Sequence, residues 1–116
     1  MAPEVDFAIS TEQRPDGTTV VALVGELDLY RLPALTEALE SATSAGRVTV
    51  DLREVTFLDS TTLALLIREQ RRLRDDGREL LVVVGPETPL TAFAVTGLDR
   101  MLTIQHVDPD ADTRSP

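Results

Sequence analysis

The sequence of 116 residues has no cysteine and no tryptophan, and His106 is its only histidine. The lack of cysteine excludes disulfides, thiolate chemistry and sulfur-ligated metals. A single histidine without cysteine does not supply the ligands of a usual zinc site. His106 stands near the end of a predicted strand and is interpreted as a strand residue. We therefore predict no metal site and no cofactor.

Basic and aromatic residues are also scarce, with 11 Lys+Arg against 20 Asp+Glu, a net charge of −9 and 3% aromatic residues. Nucleic-acid affinity depends mainly on basic side chains that neutralise phosphates, and unpaired bases stack on aromatic rings. The composition therefore argues against a nucleic-acid partner. The basic residues of the segment 68–74 are interpreted as part of a solvated helix face. That predicted outer face comprises Arg68, Glu69, Arg71, Arg72 and Asp75.

Long apolar runs and catalytic motifs are missing as well. No segment approaches the ~20 apolar residues of a membrane span, and the N-terminal segment lacks the pattern of a secretory signal. Neither a G-x-S-x-G elbow nor a nucleotide-binding glycine motif occurs. These absences predict a cytoplasmic protein with no membrane partner, and they leave a small enzyme or nucleotide-binding protein without a supporting motif. We assign no catalytic residue and expect the protein to act through a surface.

What the sequence does contain is a regular alternation of apolar patterns. Strands are predicted over 5–9, 18–24, 47–52 with 56–58, 79–84 and 102–107, and helices over 31–45, from Ser60 to Gly77, and over 87–96. The first two strands form a hairpin with a long loop that contains the Arg14-Pro15-Asp16-Gly17 turn. Gly46 and Gly77 end the first two helices. The helix faces assigned to the core are Leu32, Leu35, Ala38, Leu39 and Ala42; Leu63, Leu66, Ile67 and Leu73, widened by Ala64 and Leu65; and Leu90, Phe93 and Ala94.

This order of elements predicts a fold class. Strands that alternate with helices after a hairpin are typical of an α/β domain with a mixed, mostly parallel sheet of four or five strands and crossover helices packed on it. We expect a single domain over 1–116 with its core at about 5–107. Residues 108–116 are polar and contain proline, and we predict that they form a disordered tail.

One polar cluster, Asp59-Ser60-Thr61-Thr62, separates two apolar segments in the stretch VTFLDSTTLALL at 55–66. Judged by spacing alone, Asp59 or Ser60 caps the helix that follows, because either side chain accepts a hydrogen bond from a free N–H of the first turn. The alternative interpretation is functional, with one of the hydroxyls as the working group of the protein.

The segment from Val50 to Thr61, VDLREVTFLDST, resembles the signature of the STAS domain family, and more narrowly that of the bacterial anti-sigma factor antagonists. Three further stretches resemble the family in the same order: Gly25-Glu26-Leu27-Asp28, the strand from Leu80 to Val84 after Gly77, and Thr96-Gly97-Leu98 with Ile104. The resemblance covers roughly residues 5–107 and implies a STAS-like fold for the domain.

The resemblance also implies a mechanism. In this family the first serine of a D-S-S/T step is phosphorylated by a partner anti-sigma factor with serine kinase activity, and that position is Ser60 here, with Thr61 and Thr62 as alternative acceptors. The unphosphorylated form binds the kinase and releases the sigma factor. Phosphorylation ends this binding, and a phosphatase acting on phosphorylated Ser60 restores it. The antagonist is then a substrate and a ligand, not an enzyme. The implied partner surface comprises Glu26, Asp28, Asp59, Thr61 and Thr62.

Thr62 departs from the family pattern, which usually has glycine after the D-S-S/T step. Glycine allows close approach of a partner backbone or special turn geometry. Thr62 is either harmless variation in the first helical turn, or it obstructs a standard kinase or marks a divergent partner. A second function is therefore kept, that of a non-phosphorylated STAS scaffold or a small subunit of a lipid-transport ATPase complex.

Overall fold

A computed structural model describes residues 7–42, 45–90, 94 and 97–107. Five strands form one sheet in the order β1-β2-β3-β4-β5, with β1 antiparallel to β2 and all other neighbours parallel. This confirms the predicted mixed, mostly parallel sheet. The strands are β1 (Phe7–Gln13), β2 (Thr18–Leu27), β3 (Arg47–Leu58), β4 (Glu79–Val84) and β5 (Ile104–His106), and the α-helices are α1 (Leu32–Ser41) and α2 (Ser60–Asp75). Short 3-10 turns cover Leu29–Arg31 and Leu98–Met101.

The hairpin is tighter than predicted. β1 continues to Gln13, which pairs with Thr19, so the connection is confined to residues 14–17. An aspartate side chain closes the turn, since Asp16 Oδ1 accepts a hydrogen bond from the Thr18 N–H at 2.9 Å. The predicted long loop is wrong because the polar residues before the turn are held by backbone pairing at an exposed edge, where a strand needs no apolar pattern.

Two further boundaries differ from the sequence prediction. β3 is one strand across Arg53 and Glu54, where the polarity of the sequence suggested two segments. Its register against β2 shifts twice, which accommodates the irregularity without ending the strand. The first helix ends at Ser41, whose hydroxyl donates to the Ala38 carbonyl at 2.8 Å, and Gly46 therefore does not cap it. Such local bonds compete with helix continuation.

Both ends of α2 agree with the sequence. The helix begins at Ser60 and ends at Asp75, and Gly77 adopts a φ of 72° just beyond it. The Gly77 N–H donates to the Arg74 carbonyl at 3.0 Å, and the Arg78 N–H donates to the Leu73 carbonyl at 2.8 Å. These two bonds form a Schellman motif, in which glycine takes the left-handed position without steric cost.

The solvated outer face predicted for α2 is only partly correct. Glu69 is 5% exposed, because its carboxylate accepts a hydrogen bond from Arg72 Nε at 2.7 Å and a paired charge tolerates burial. Gln70 is also buried, and its amide donates to the Met101 carbonyl at 2.8 Å and accepts from the Thr103 N–H at 2.7 Å. This side chain ties α2 to the segment that leads into β5.

The core is one cluster of aliphatic side chains between the sheet and the two helices. The apolar faces predicted for α1 and α2 are confirmed except at one position: Leu35, Leu39, Ala42, Leu63, Leu65, Leu66, Ile67 and Leu73 are buried, and Leu32 and Ala38 are partly buried. Ala64 is exposed, so its assignment to the core face is wrong. Burial of a Leu or Ile side chain contributes ~1.5–3 kcal/mol each, so this cluster is the main stabilising feature of the domain. Within the described ranges, no helix is long and apolar enough to cross a membrane.

The region after β4 was predicted less well. No helical turn forms over 87–90. The chain turns at 86–88 instead, where the Thr88 hydroxyl accepts from the Gly85 N–H and donates to the Leu52 carbonyl, each at 2.9 Å. Leu90 is buried as predicted, whereas Ala94 is exposed. The remainder of the predicted helix, including Phe93, and the predicted tail at 108–116 lie outside the described residues.

Candidate functional site

The parallel pairing of β2 and β3 brings two acidic segments to one edge of the sheet. Leu27 pairs with Leu58, the last residues of their strands, so Asp28 and Asp59 follow at neighbouring positions. Each aspartate begins a helical turn with extended backbone, at φ −112° for Asp28 and φ −104° for Asp59. The stretch 25–28 and the end of the stretch 50–61 are distant in the chain, and the pairing of β2 with β3 brings them together.

Asp59 is the N-cap of α2. Its Oδ1 accepts hydrogen bonds from the Thr62 N–H at 3.0 Å, the Thr61 hydroxyl at 2.7 Å and the Thr62 hydroxyl at 2.9 Å. The structure thus decides between the two capping candidates in the sequence in favour of Asp59. A cap of this kind stabilises a helix by ~1 kcal/mol.

The carboxylate of Asp59 is held in its charged form. Partial burial acts to raise its pKa, but the hydrogen bonds from Thr61 and Thr62 outweigh burial, and the pKa lies below its ordinary value of 3.8. Hydrogen bonds donated to a carboxylate favour the ionised state in this way. A negative charge therefore stands next to Ser60 at neutral pH.

Ser60 is the first residue of α2 and its side chain is exposed. Within the part of the chain that the structure describes, its hydroxyl has no hydrogen-bond partner, in contrast to those of Thr61 and Thr62. The first N–H groups of a helix have no intrahelical acceptor and carry the positive end of the helix dipole. The Ser60 hydroxyl is therefore free to react at a position where an added anion is tolerated.

The acidic positions predicted from the G-E-L-D stretch lie at the same edge. Glu26 is exposed and pairs in register with Phe57, two residues before Asp59. Asp28 accepts a hydrogen bond from the Tyr30 N–H at 3.0 Å and thereby caps the turn Leu29–Arg31. Both residues combine a structural place at the strand end with negative charge on the surface.

Thr62 requires a correction. Its exposure is 0%, and its hydroxyl lies 2.9 Å from Asp59 Oδ1 and 3.4 Å from the Leu27 carbonyl oxygen. A residue with no exposed surface neither contacts a partner nor offers its hydroxyl to a kinase. The expectation that Thr62 lies on the partner surface, or serves as an alternative acceptor, does not fit this burial. Thr61, by contrast, is exposed.

Sequence reasoning missed three exposed apolar side chains around these acids. Leu29 is 60% exposed, Tyr30 86% and Phe57 46%. Large apolar and aromatic side chains at a surface are typical of protein–protein interfaces. The signal was present in the sequence, because Leu29 and the only tyrosine directly follow the acidic turn, outside any strand or helix periodicity.

A metal site was sought among the described residues as well. No group of three or more histidine, aspartate and glutamate side chains among them is arranged to hold a metal ion. The site combines an exposed hydroxyl at a helix N-terminus with neighbouring carboxylates and apolar side chains.

Known proteins are similar to this chain in sequence over most of its length. The family model described as "Mlab, STAS domain" matches residues 10–103. The anti-sigma-B factor antagonist of Listeria monocytogenes is 27% identical over 106 residues, which covers 90% of this chain and 93% of that protein. The anti-sigma-B factor antagonist of Staphylococcus aureus is 30% identical over 86 residues, which covers 72% of this chain and 80% of that protein.

Two solved structures of anti-sigma factor antagonists are similar to this chain in fold. An anti-sigma factor antagonist from Mycobacterium paratuberculosis superposes with a TM-score of 0.73 at 29% identity and covers 84% of each chain. The anti-sigma factor antagonist SpoIIAA in its unphosphorylated form gives a TM-score of 0.71 at 19% identity, with 89% of this chain and 90% of that chain covered, which shows a common fold. From the extent of the family match and the identity to these relatives, the chain belongs to the STAS domain family.

Proposed function

We propose that this protein is an anti-sigma factor antagonist whose unphosphorylated form binds an anti-sigma factor with serine kinase activity and so releases a sigma factor. The exposed hydroxyl of Ser60 at the start of α2, which has no hydrogen-bond partner among the described residues, is the observation that carries this proposal. The names of the related proteins from Listeria and Staphylococcus support the same role. The protein itself is a substrate and a ligand, and the catalyst is its partner.

The covalent step takes place on the partner's ATP. The Ser60 oxygen attacks the γ-phosphorus, an O–P bond forms, the bond to the β-phosphate oxygen breaks, and ADP leaves. The serine proton passes to a base that the kinase supplies, since the lowered pKa of Asp59 makes that carboxylate a weak base. A helix N-terminus is a favourable place for the product, because its free N–H groups and dipole stabilise an anion.

Phosphorylation changes the charge of the surface rather than the fold. A phosphate adds about −1.5 to −2 charges at neutral pH. Glu26, Asp28 and Asp59 already surround this edge with carboxylates. A partner surface that is complementary to three carboxylates and to the exposed apolar side chains around them is not complementary to an added dianion at the centre. Binding is therefore lost, while the domain stays folded. A phosphatase that removes the phosphate restores the binding form.

The alternative, a non-phosphorylated scaffold or a small subunit of a lipid-transport ATPase complex, rested on Thr62 as an obstruction to a kinase. Because Thr62 is buried, its side chain does not stand between Ser60 and a partner. The departure from the family's glycine therefore gives no steric reason to prefer the alternative, and the phosphorylation experiment separates the two functions.

The test is the intact mass of the protein after incubation with ATP and the candidate kinase encoded nearest its gene. The wild type and Ser10→Ala, which changes another exposed serine in β1, are expected to gain one phosphate, and Ser60→Ala none. Peptide mapping then distinguishes Ser60 from Thr61. If the folded wild type gains no phosphate from a kinase that is active towards a control peptide, the scaffold is the better function.

A further inference from the structure

An apolar groove runs between the two helices, next to the candidate phosphorylation site. Its volume is about 650 Å³. Its apolar lining is Leu29, Leu32, Pro33, Ala64 and Leu65. Ala64 and Pro33 are exposed and Leu29 is 60% exposed, so these three side chains face solvent in the isolated domain, whereas Leu32 is half-buried and Leu65 is buried at the floor. Contact of these apolar side chains with water is unfavourable, and a bound partner would remove it.

The groove and the candidate site form one continuous surface. Thr61 lines the groove, and its hydroxyl donates to the Asp59 carboxylate at 2.7 Å. Ser60 is the preceding residue, and Leu29 follows Asp28 directly. A protein that contacts the Ser60 hydroxyl therefore lies next to the groove.

The charges at the groove indicate what kind of protein fits it. Glu37 and Glu40 are exposed on the α1 side, and Arg68 is the one basic residue among those that line the groove. The whole chain carries a net charge of −9. We call Glu37 and Glu40 the acidic rim of the groove. An apolar occupant with basic flanks complements this acidic rim, whereas an acidic occupant is repelled.

We propose that this groove is a second docking site for the kinase partner, which lays an amphipathic helix with basic flanks between α1 and α2. This inference rests on the proposed function. A groove between two helices accepts a helix with apolar residues at i, i+3 or i+4 and i+7. Docking in the groove holds the kinase next to Ser60 and raises the effective concentration of its active site there.

Two other occupants fit less well. The C-terminal segment 108–116 contains three aspartates and one arginine, so its net charge is negative, like the acidic rim of the groove. A second copy of the chain would bring two acidic rims together, with like charges opposed across the interface. The basic-flanked helix of the kinase is the occupant that the charge pattern favours.

The experiment compares two glutamate substitutions of exposed alanines. Ala64→Glu puts a charge into the groove at a helix position that glutamate suits, and Ala8→Glu puts the same charge on β1, on the face opposite to Phe7 and Ile9. The affinity for the purified kinase is measured by calorimetry with a non-hydrolysable ATP analogue. We expect Ala64→Glu to weaken binding at least tenfold and Ala8→Glu to change it less than twofold, with equal melting temperatures.

A second pair of variants tests the charge of the occupant. Glu37→Lys combined with Glu40→Lys is expected to weaken binding about fivefold and to reduce its salt dependence, while Leu29→Ala weakens binding without changing the salt dependence. At saturating kinase concentration, Ala64→Glu still gains one phosphate on Ser60. That readout separates docking in the groove from the phosphorylation reaction.

The outcomes distinguish this inference from the proposed function. If the wild type binds the kinase and gains a phosphate while Ala64→Glu binds as tightly as the wild type, the groove is not a docking site and the proposed function stands. If the wild type neither binds nor gains a phosphate, both proposals fail. If Ala64→Glu instead turns a wild-type dimer into a monomer in sedimentation, with unchanged kinase affinity, the occupant is a second copy and the inference is overturned.

Discussion

The Thr62 hydroxyl oxygen lies 3.4 Å from the main-chain carbonyl oxygen of Leu27, a residue 35 positions earlier in the chain. This contact joins the first turn of α2 to the last residue of β2. The same hydroxyl is 2.9 Å from Asp59 Oδ1, so Thr62 stands between the cap of the helix and the acidic turn that follows β2. The position that departs from the family pattern is thus a structural link between the two halves of the candidate site.

Replacement of Thr62 by the family's usual glycine is expected to destabilise the domain. Thr62→Gly removes a fully buried side chain and adds the entropic cost of glycine in a helix, and we expect a loss of about 2 kcal/mol in the free energy of unfolding. Thr61→Gly, in the same turn but exposed, is the matched control and loses less. The measurement is urea unfolding. A gain in kinase affinity for Thr62→Gly, with unchanged stability, would contradict the burial argument.

Acid sensitivity is expected at Asp59. Its folded pKa is lowered, so the carboxyl binds a proton less readily in the folded state than in the unfolded state, whose value is near 3.8. The stabilisation that its charge provides is complete above that pH and is lost as the pH falls towards the folded pKa.

The measurement is the free energy of unfolding between pH 6 and pH 3 for the wild type and for Asp59→Asn, which keeps a good capping residue but does not titrate. The wild-type advantage is expected to shrink as the pH falls below about 4. Because the pKa of Asp16 is also lowered, by the bond from the Thr18 N–H, the comparison with Asp59→Asn isolates Asp59. A constant difference across this range would contradict the prediction.

A negative charge at Ser60 is expected to act on binding and leave folding nearly unchanged. Ser60→Asp places a carboxylate at the start of α2, where the helix dipole tolerates it, and we expect a change in melting temperature of less than about 3 °C. Binding to the kinase with its bound ATP analogue is expected to weaken about tenfold or more, and less at high salt, because screening reduces the repulsion between the new carboxylate and the γ-phosphate that lies next to residue 60.

The control for this change is Ser10→Asp, which adds the same charge to an exposed serine of β1. It is expected to bind as the wild type does. Equal weakening by both variants would point to net charge alone and not to the position of Ser60. A large fall in melting temperature for Ser60→Asp would show that the switch acts through unfolding.

Gln70 is expected to hold the C-terminal strand in place. Gln70→Ala leaves the Met101 carbonyl and the Thr103 N–H without their side-chain partner, and an unpaired buried group costs about 1–3 kcal/mol. Arg71→Ala, at the next and exposed position, is expected to cost less than about 0.5 kcal/mol. Chemical unfolding of both variants checks the difference, and equal stability would show that the amide bonds contribute nothing.

Local chemistry determined much of the fold. The start of α2 at Ser60, its stop at Gly77 and its apolar face follow from capping, glycine conformation and helical spacing, each of which acts within a few residues. The mixed, mostly parallel pairing of the sheet followed from the alternation of strands and helices after a hairpin, whereas the order of the strands came only from the structure. Strand lengths at the hairpin and the end of α1 did not follow, because backbone pairing and side-chain back-bonding there are not expressed in apolar periodicity.

The positions of the candidate site residues could be predicted from the sequence, but their exposure could not. Ser60, Asp59, Glu26 and Asp28 stand out by motif and by charge, which the order of residues alone determines. Whether Thr62 faces a partner or the core, and whether Leu29 and Ala64 line one groove, depends on how α1, α2 and the end of β2 pack together. Burial arises from contacts between residues distant in the chain, so only the tertiary structure decided it.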